Sequence, residues 1–266
     1  MMRTQQPVRI IGAGIGGLTL GRCLLQYGVP AVLYEKLSSP PNQGHGITLH
    51  ASSYRPLLDV LGLDEWTFRC RIAVDGPIGG TGNIDLKSII YPRKMDSTSF
   101  LADHSKLKRL LREGLDVQWN YGVTNVQESS SGTELYFQTG QKVESPCIIG
   151  ADGPHSEIRK SLSPDASFKI LPYVVFNGRR VVKRTVFDNV YAPTMGKSNV
   201  VEMKRGDLIL KVSVSEQRES DVHITWVYSR PPRGDADPLH RPNRAVSGAR
   251  DIPTEFFEEI GALQAL

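Results

Sequence analysis

The stretch Val8-Arg9-Ile10-Ile11-Gly12-Ala13-Gly14-Ile15-Gly16-Gly17, followed by Glu35 eighteen residues further on, decides how this chain begins to fold. Val8–Ile11 is a short, mostly apolar run ending on glycine, which predicts a buried strand. From Gly14 to Tyr27 the apolar residues Leu18, Leu20, Leu24 and Leu25 recur at helical spacing, with Gly28 as a stop and Pro30 beyond it. Ala31–Tyr34 predicts a second buried strand, closed by Glu35. Strand, glycine turn, helix and strand form the unit that binds dinucleotides, and its G-x-G-x-x-G glycines are Gly12, Gly14 and Gly17. The first permits the tight turn, the second lets a pyrophosphate approach the backbone, and the third lets the helix pack closely on the strand. The phosphates then meet free N–H groups at a helix N-terminus. A carboxylate at Glu35 can accept from both ribose hydroxyls and repels a 2′-phosphate. The blander readings are a ligand-free glycine bend and a solvated strand-end acid; the strand, helix and acid in their proper order weigh against both.

The 266 residues suffice for one large domain or two small ones. With 39% hydrophobic and 23% charged residues, the composition is that of a folded globular protein rather than a disordered chain. No stretch approaches the ~18 uncharged apolar residues of a membrane helix. Met1–Pro7 is polar and lacks an apolar signal core, so a cytoplasmic protein is expected. The scattered Cys23, Cys70 and Cys147 have neither disulfide nor metal spacing and read as reduced thiols. A net charge of +4 is too small to argue for nucleic acid, and the Arg- and Pro-rich stretch Arg230–Arg250 reads as a solvated loop.

Further along, residues 40–46 form a Pro/Gly/Asn loop and Ile47–Leu49 a short strand. Ser52 or Ser53 is expected to cap a helix running to Leu61 and closed by Gly62, and Asp75–Gly82 to be a glycine-rich loop. Leu101–Gly114 reads as a helix with Leu107, Leu110, Leu111 and Leu115 on one side. Val117–Tyr121, Val123–Glu128, Leu135–Gln138 and Val143–Ile149 read as an antiparallel meander, with turns at Ser130-Ser131-Gly132 and Gly140-Gln141. Strands are expected again at Phe168–Phe176, Arg179–Phe187, Val200–Met203, Leu208–Val214 and His223–Tyr228. A last helix begins near Pro253 and turns Phe256, Phe257, Ile260 and Leu263 towards a core.

The glycine turn alone does not tell FAD from NAD. A second signature, Gly150-Ala151-Asp152-Gly153-Pro154-His155-Ser156-Glu157-Ile158-Arg159, closes the meander and opens a short helix. Together these features resemble the flavoprotein aromatic hydroxylases, the single-component FAD-dependent monooxygenases typified by p-hydroxybenzoate hydroxylase. The likeness runs from Val8 to the chain end and is closest to fungal members acting on secondary metabolites. It implies an α/β fold: an FAD-binding Rossmann-like domain over residues 1–165, with a β-meander at about 117–149, an antiparallel β-sheet substrate domain over 166–230, and a loop with a terminal helix over 231–266. It also implies FAD as cofactor, NAD(P)H as co-substrate with O2, and hydroxylation or epoxidation of a small aromatic or polyketide-type metabolite.

The cofactor-binding residues so implied are Gly12, Gly14, Gly17, Glu35, Lys36, Gly46, His104 and Asp152. Gly46 lies in Gly44-His45-Gly46-Ile47-Thr48-Leu49-His50, where small residues let backbone approach the cofactor. Asp152 has a second reading, a cap on the helix at Ser156 to Leu162. His104 stands where the family has an arginine opening the helix before the meander; it is shorter and only partly charged, with Lys106 or Lys108 as substitutes. His45 and His50 are acid/base candidates, although lone histidines are more often structural. Tyr173, Arg179 and Arg180 are candidates to line a substrate pocket; no catalytic residue and no metal site are assigned.

The family's third motif, Gly-Asp-Ala-Ala-His-Pro or close to it, has only a superficial match in Gly234-Asp235-Ala236-Asp237-Pro238. No apolar strand precedes that match, and Pro238 and Pro242 break any helix after it. A C-terminally shortened member is therefore expected. The alternative is a catalytically silent FAD- or nucleotide-binding remnant. A plain NAD-dependent dehydrogenase is disfavoured, because a doubly wound domain would continue its strand–helix alternation where the meander stands. The sequence leaves the oligomeric state open.

Overall fold

The computed structural model describes residues 6–41, 44–90, 98–130, 132–166, 169, 171–234 and 236–240. The first unit forms as expected: strand β1 (Val8–Ile11), helix α1 (Ile15–Gln26) and strand β2 (Ala31–Glu35). Gly28 closes the helix end at φ 67°, a left-handed conformation cheap only for glycine. There follow β3 (Gly46–Leu49), α2 (Ala51–Leu61), α3 (Glu65–Ile72), β4 (Phe100–Asp103), α4 (His104–Arg112) and β5 (Asp116–Trp119). Then come β6 (Val123–Ser129), β7 (Gly132–Phe137), β8 (Lys142–Ser145), β9 (Ile148–Gly150) and α5 (Glu157–Leu162). The last strands described are β10 (Val174–Lys183), β11 (Val200–Arg205), β12 (Leu208–Gln217) and β13 (Asp221–Arg230).

A parallel sheet of order β5-β2-β1-β9 is the centre of the first half. Alternation along its strands sorts the core onto two faces. Ile10 and Leu33 point to one face and pack with Leu18 of α1 and Leu107, Leu110 and Leu111 of α4. Ile11 and Tyr34 point to the other and pack with Val123, Leu135 and Phe137 of the β6-β7-β8 meander. The second half is an antiparallel sheet of order β10-β13-β12-β11. Its Val182, Val214, Val222 and Ile224 share a core with Leu101 of β4 and with Val74, which joins the two halves. Among the described residues no helix is long and apolar enough to cross a membrane.

Several expectations are corrected. The helix expected over Leu101–Gly114 is a strand through Asp103 and a helix only from His104, because Phe100–Asp103 pairs antiparallel with Gly46–Leu49. Helix α2 begins at Ala51, with Ser52 and Ser53 inside it and His50 at the cap position; Gly62 closes it in the left-handed conformation as expected. The meander has three strands. The runs at 117–121 and 148–149 instead supply β5 and β9, which pair parallel with β2 and β1. The expected strands 168–176 and 179–187 are one strand, β10, running straight through Gly178. Gly178 faces Trp226 across the ladder, and a Cβ there would stand 2.2 Å from the indole. Residues 184–195 are helical turns rather than strand. The solvated-loop reading fails at its start: Arg230 is 4% exposed and forms a two-pronged ion pair with Asp237, whose carboxylate also accepts from the backbone of Arg233 and Leu239. Phe168 and the terminal helix from Pro253 lie outside the described residues.

Candidate functional site

At the turn between β1 and α1 the three glycines have different reasons. Gly12 sits at φ 105°, and a Cβ there would stand 2.4 Å from the Ala151 carbonyl oxygen. A Cβ on Gly17 would stand 2.0 Å from the Gly12 carbonyl oxygen, so the helix can approach the strand only with glycine here. Gly14 has ordinary backbone angles, and nothing lies within 4 Å of where its Cβ would be. The folded chain thus demands glycine at 12 and 17 but leaves open space at 14, at the cap of α1. Glu35, 9% exposed, braces the turn: Oε2 accepts from the Ala13 N–H at 2.8 Å and Oε1 from the Leu37 N–H at 3.1 Å. A carboxylate has about four acceptor sites, so both oxygens can accept more.

A cavity of about 840 Å³ opens from this turn. Ala13 and the Ser39–Pro41 loop wall it near the turn, α4 runs along one side, and Arg179, Arg180 and His223 of the second sheet form the opposite side. Seven Lys and Arg side chains line it, against the carboxylates of Asp103 and Glu216. Such an imbalance in a concave site favours an anionic occupant. Arg179 and Arg180 line this cavity, whereas Tyr173 is 53% exposed and is not part of its wall.

Asp103 caps α4 by accepting from the backbone N–H groups of Ser105 at 2.7 Å and Lys106 at 3.2 Å. His104 is the first residue of that helix. Its backbone N–H donates to the His45 carbonyl at 3.0 Å, and the two imidazoles stack with centroids 4.4 Å apart and planes 22° apart. Burial, helped by His45 and Lys108, pushes the His104 pKa down to about 4, so the ring is neutral at physiological pH. Lys106 donates to the Ala73 carbonyl at 3.1 Å, and its burial lowers its pKa. The loop before β3 is held from several sides: Arg179 donates to the Gly44 carbonyl at 2.7 Å, and a Cβ on Gly46 would stand 2.7 Å from the Val214 carbonyl oxygen. Gly46 thus has a packing reason of its own, against β12.

Asp152 caps α5, its Oδ2 accepting from Glu157 N–H at 2.8 Å; Ser156 adds a second cap by accepting from Arg159 N–H at 2.9 Å. The other oxygen, Oδ1, is buried without a hydrogen-bond partner among the described residues. Lys36 is exposed beside Glu35, and His50 meets Ser99 at 3.3 Å. Asp235 of the superficial third-motif match lies outside the described residues. Sequence reasoning named Lys108 but missed Asp103 as a cap, Arg109 and Arg112, which complete the cationic side of α4, and Trp119. The signals were present: an aspartate one residue before a helix, and cations at spacings of three and four opposite the leucines.

Residues 5–174 match the family model for an FAD binding domain. An FAD-dependent monooxygenase, nscC of Aspergillus fumigatus, is 32% identical over 98% of this chain and 68% of its own length. The chain belongs to this family of FAD-dependent monooxygenases. Another member, vrtH of Penicillium aethiopicum, is 30% identical over 97% of the chain and 66% of its own length. The chain thus spans about two thirds of the length of these relatives. The fold likeness extends to the crystal structure of CtdE in complex with FAD (TM-score 0.64, 17% identity, 97% of this chain and 66% of that one). It also extends to 2,6-dihydroxypyridine-3-hydroxylase from Arthrobacter nicotinovorans (TM-score 0.65, 20% identity, 88% and 58%). The residues present fit the family's cofactor: a glycine turn at the start of α1 with Ala13 on the wall of a cationic cavity, acceptor capacity to spare on Glu35, and a buried, unpartnered oxygen on Asp152.

Proposed function

We propose that this chain carries the FAD site of a monooxygenase that uses NAD(P)H and O2 to place one oxygen atom on a small aromatic or polyketide-type metabolite. The single observation that carries the FAD site is the β1–α1 turn itself, which demands glycine at 12 and 17 and whose Ala13 N–H is held by Glu35 at the end of β2. In this reading residues 1–165 bind the cofactor and residues 166–230 cover the substrate. Gly12 and Gly17 set the turn, and Gly14 and the first N–H groups of α1 receive the diphosphate. Glu35 accepts from the ribose. Gly46, His104, Asp152 and Lys36 do not line the cavity and are assigned to the rest of the cofactor's length only in this reading.

When bound, FAD supplies the two-electron and oxygen chemistry, and the protein positions it and keeps water out. Arg179 and Arg180 present positive charge to the cavity, where they would steady an acidic phenol or enol as its anion. The names of nscC and vrtH support the monooxygenase class. A reduced cytoplasmic setting is proposed from the unpaired Cys23, Cys70 and Cys147.

The test is a thermal melt with FAD, NAD or neither, followed by NAD(P)H oxidation with FAD present. At 100 times its Kd, FAD should add about 2.7 kcal/mol, roughly 5–10 °C in Tm for a chain of this size. Stabilisation by NAD and not by FAD would overturn the reading. A protein that binds FAD yet fails to oxidise either nicotinamide cofactor would support the silent-remnant alternative.

A further inference from the structure

Trp119 gives the wall of the cavity an aromatic patch. Trp119 is the last residue of β5, and the parallel register sets it directly beside Glu35. Two backbone bonds lock the segments together just beyond that pair. The Asn120 N–H donates to the Leu37 carbonyl at 2.9 Å, and the Tyr121 N–H to the Glu35 carbonyl at 2.9 Å. Asn120 takes a left-handed φ of 66°, which turns the chain sharply away after Trp119. The indole is half-buried and forms part of the same cavity wall as Ala13, whose N–H is bonded to Glu35. The Arg112 guanidinium lies over its ring, 5.8 Å from the centroid.

We infer that Trp119, backed by Arg112, is the stacking surface for the purine base of the bound dinucleotide. The inference rests on the FAD reading above and on one step of chemistry. A ribose held by Glu35 carries its base one glycosidic bond away, and the strand register puts the indole on the neighbouring strand at that height. A flat aromatic face with a cation behind it suits a purine, since stacking needs no particular hydrogen-bond pattern. The subsite therefore selects for adenine dinucleotides and mononucleotides over flavin phosphates that lack the base.

The test uses the full chain freed of flavin and three ligands: ADP, FAD and FMN. The sequence has three tryptophans, so W66F/W226F leaves Trp119 as the sole indole. ADP should quench the fluorescence of wild type and of W66F/W226F, and leave W119F unquenched. By calorimetry, W119A should weaken ADP and FAD about tenfold, W119F by much less, and FMN binding should be the same in all. If ADP binds W66F/W226F without quenching, or binds W119A as tightly as wild type, the inference is wrong while the FAD reading stands. If neither ADP nor FAD binds wild type, both fail together.

Discussion

At the residue scale the most informative side chain is His104. Stacked on His45 and partly buried, it folds with its pKa near 4 against 6.5 for a free imidazole. The folded state therefore resists a proton that the unfolded chain accepts below pH 6.5. Its contribution to stability is complete above that pH and disappears as pH falls from about 6.5 towards 4. Replacing His104 by Gln, which keeps a polar group and does not titrate, should flatten that part of the curve. Melts of wild type and H104Q from pH 8 to 4.5 should show wild type losing more Tm on acidification. Parallel curves would show that His104 is not protonated on unfolding. A neutral ring here also leaves the positive charge at the opening of α4 to Lys106, Lys108 and Arg109, in line with the substitution of His104 by Lys106 or Lys108 that the sequence offered.

At the scale of the element, the β1–α1 turn separates a fold requirement from a ligand requirement. Gly17→Ala drives a methyl into the Gly12 carbonyl and should cost about 3 kcal/mol in urea unfolding, since overpacking there cannot be relieved by a flexible side chain. Gly14→Thr stands in open space at a cap position and should leave stability within about 0.5 kcal/mol, because threonine and glycine are similar caps. Only the second should keep a normal melt while losing FAD affinity, by about tenfold or more. Equal FAD affinity in Gly14→Thr and wild type would overturn the placement of the diphosphate at this turn.

This turn was legible because its glycines, its helix and its acid lie within thirty residues, although the Ala151 carbonyl that crowds Gly12 does not. Elsewhere local pattern misled. Phe100–Asp103 is as apolar as a helix start, and only its pairing with Gly46–Leu49 makes it a strand. The run at 117–121 alternates like a meander strand and 148–149 continues one, yet their partners are β2 and β1, residues far away in sequence. Helix α3 has no amphipathic stripe, and its signal was the cap: Asp64 accepts from the Thr67 N–H at 2.8 Å. The cofactor end of the site was readable for the same local reason as the turn. The cavity wall was not, because α4, β5 and β10 meet there only in three dimensions.

At the scale of the molecule, a buried polar chain ties the loop after α3 to the second sheet. Asp75, 8% exposed, accepts from the Gly82 N–H at 2.6 Å and from Asn199 Nδ2 at 2.7 Å. Asn199 in turn accepts from Gln217 at 2.9 Å, and Gln217 from Arg184 at 3.0 Å. Removing Asp75 leaves buried donors without their acceptor, so Asp75→Ala should cost about 1–3 kcal/mol. Combined with Asn199→Ala in a double-mutant cycle, the coupling should be about 1 kcal/mol or more. Additive losses would mean that the chain does not transmit stability between the two halves.

The indole of Trp226 over Gly178 has a consequence for where Arg179 and Arg180 stand. A slip of β10 by one residue would push an Asn177 or Arg179 side chain into the ring and exchange the faces of the strand. A slip by two would keep the faces but move both arginines about 6.6 Å along the cavity, two rises of a strand. Either would meet the indole with a Cβ it has no room for. One absent methyl group thus works as a gauge, setting how far into the cavity the positive charge is delivered.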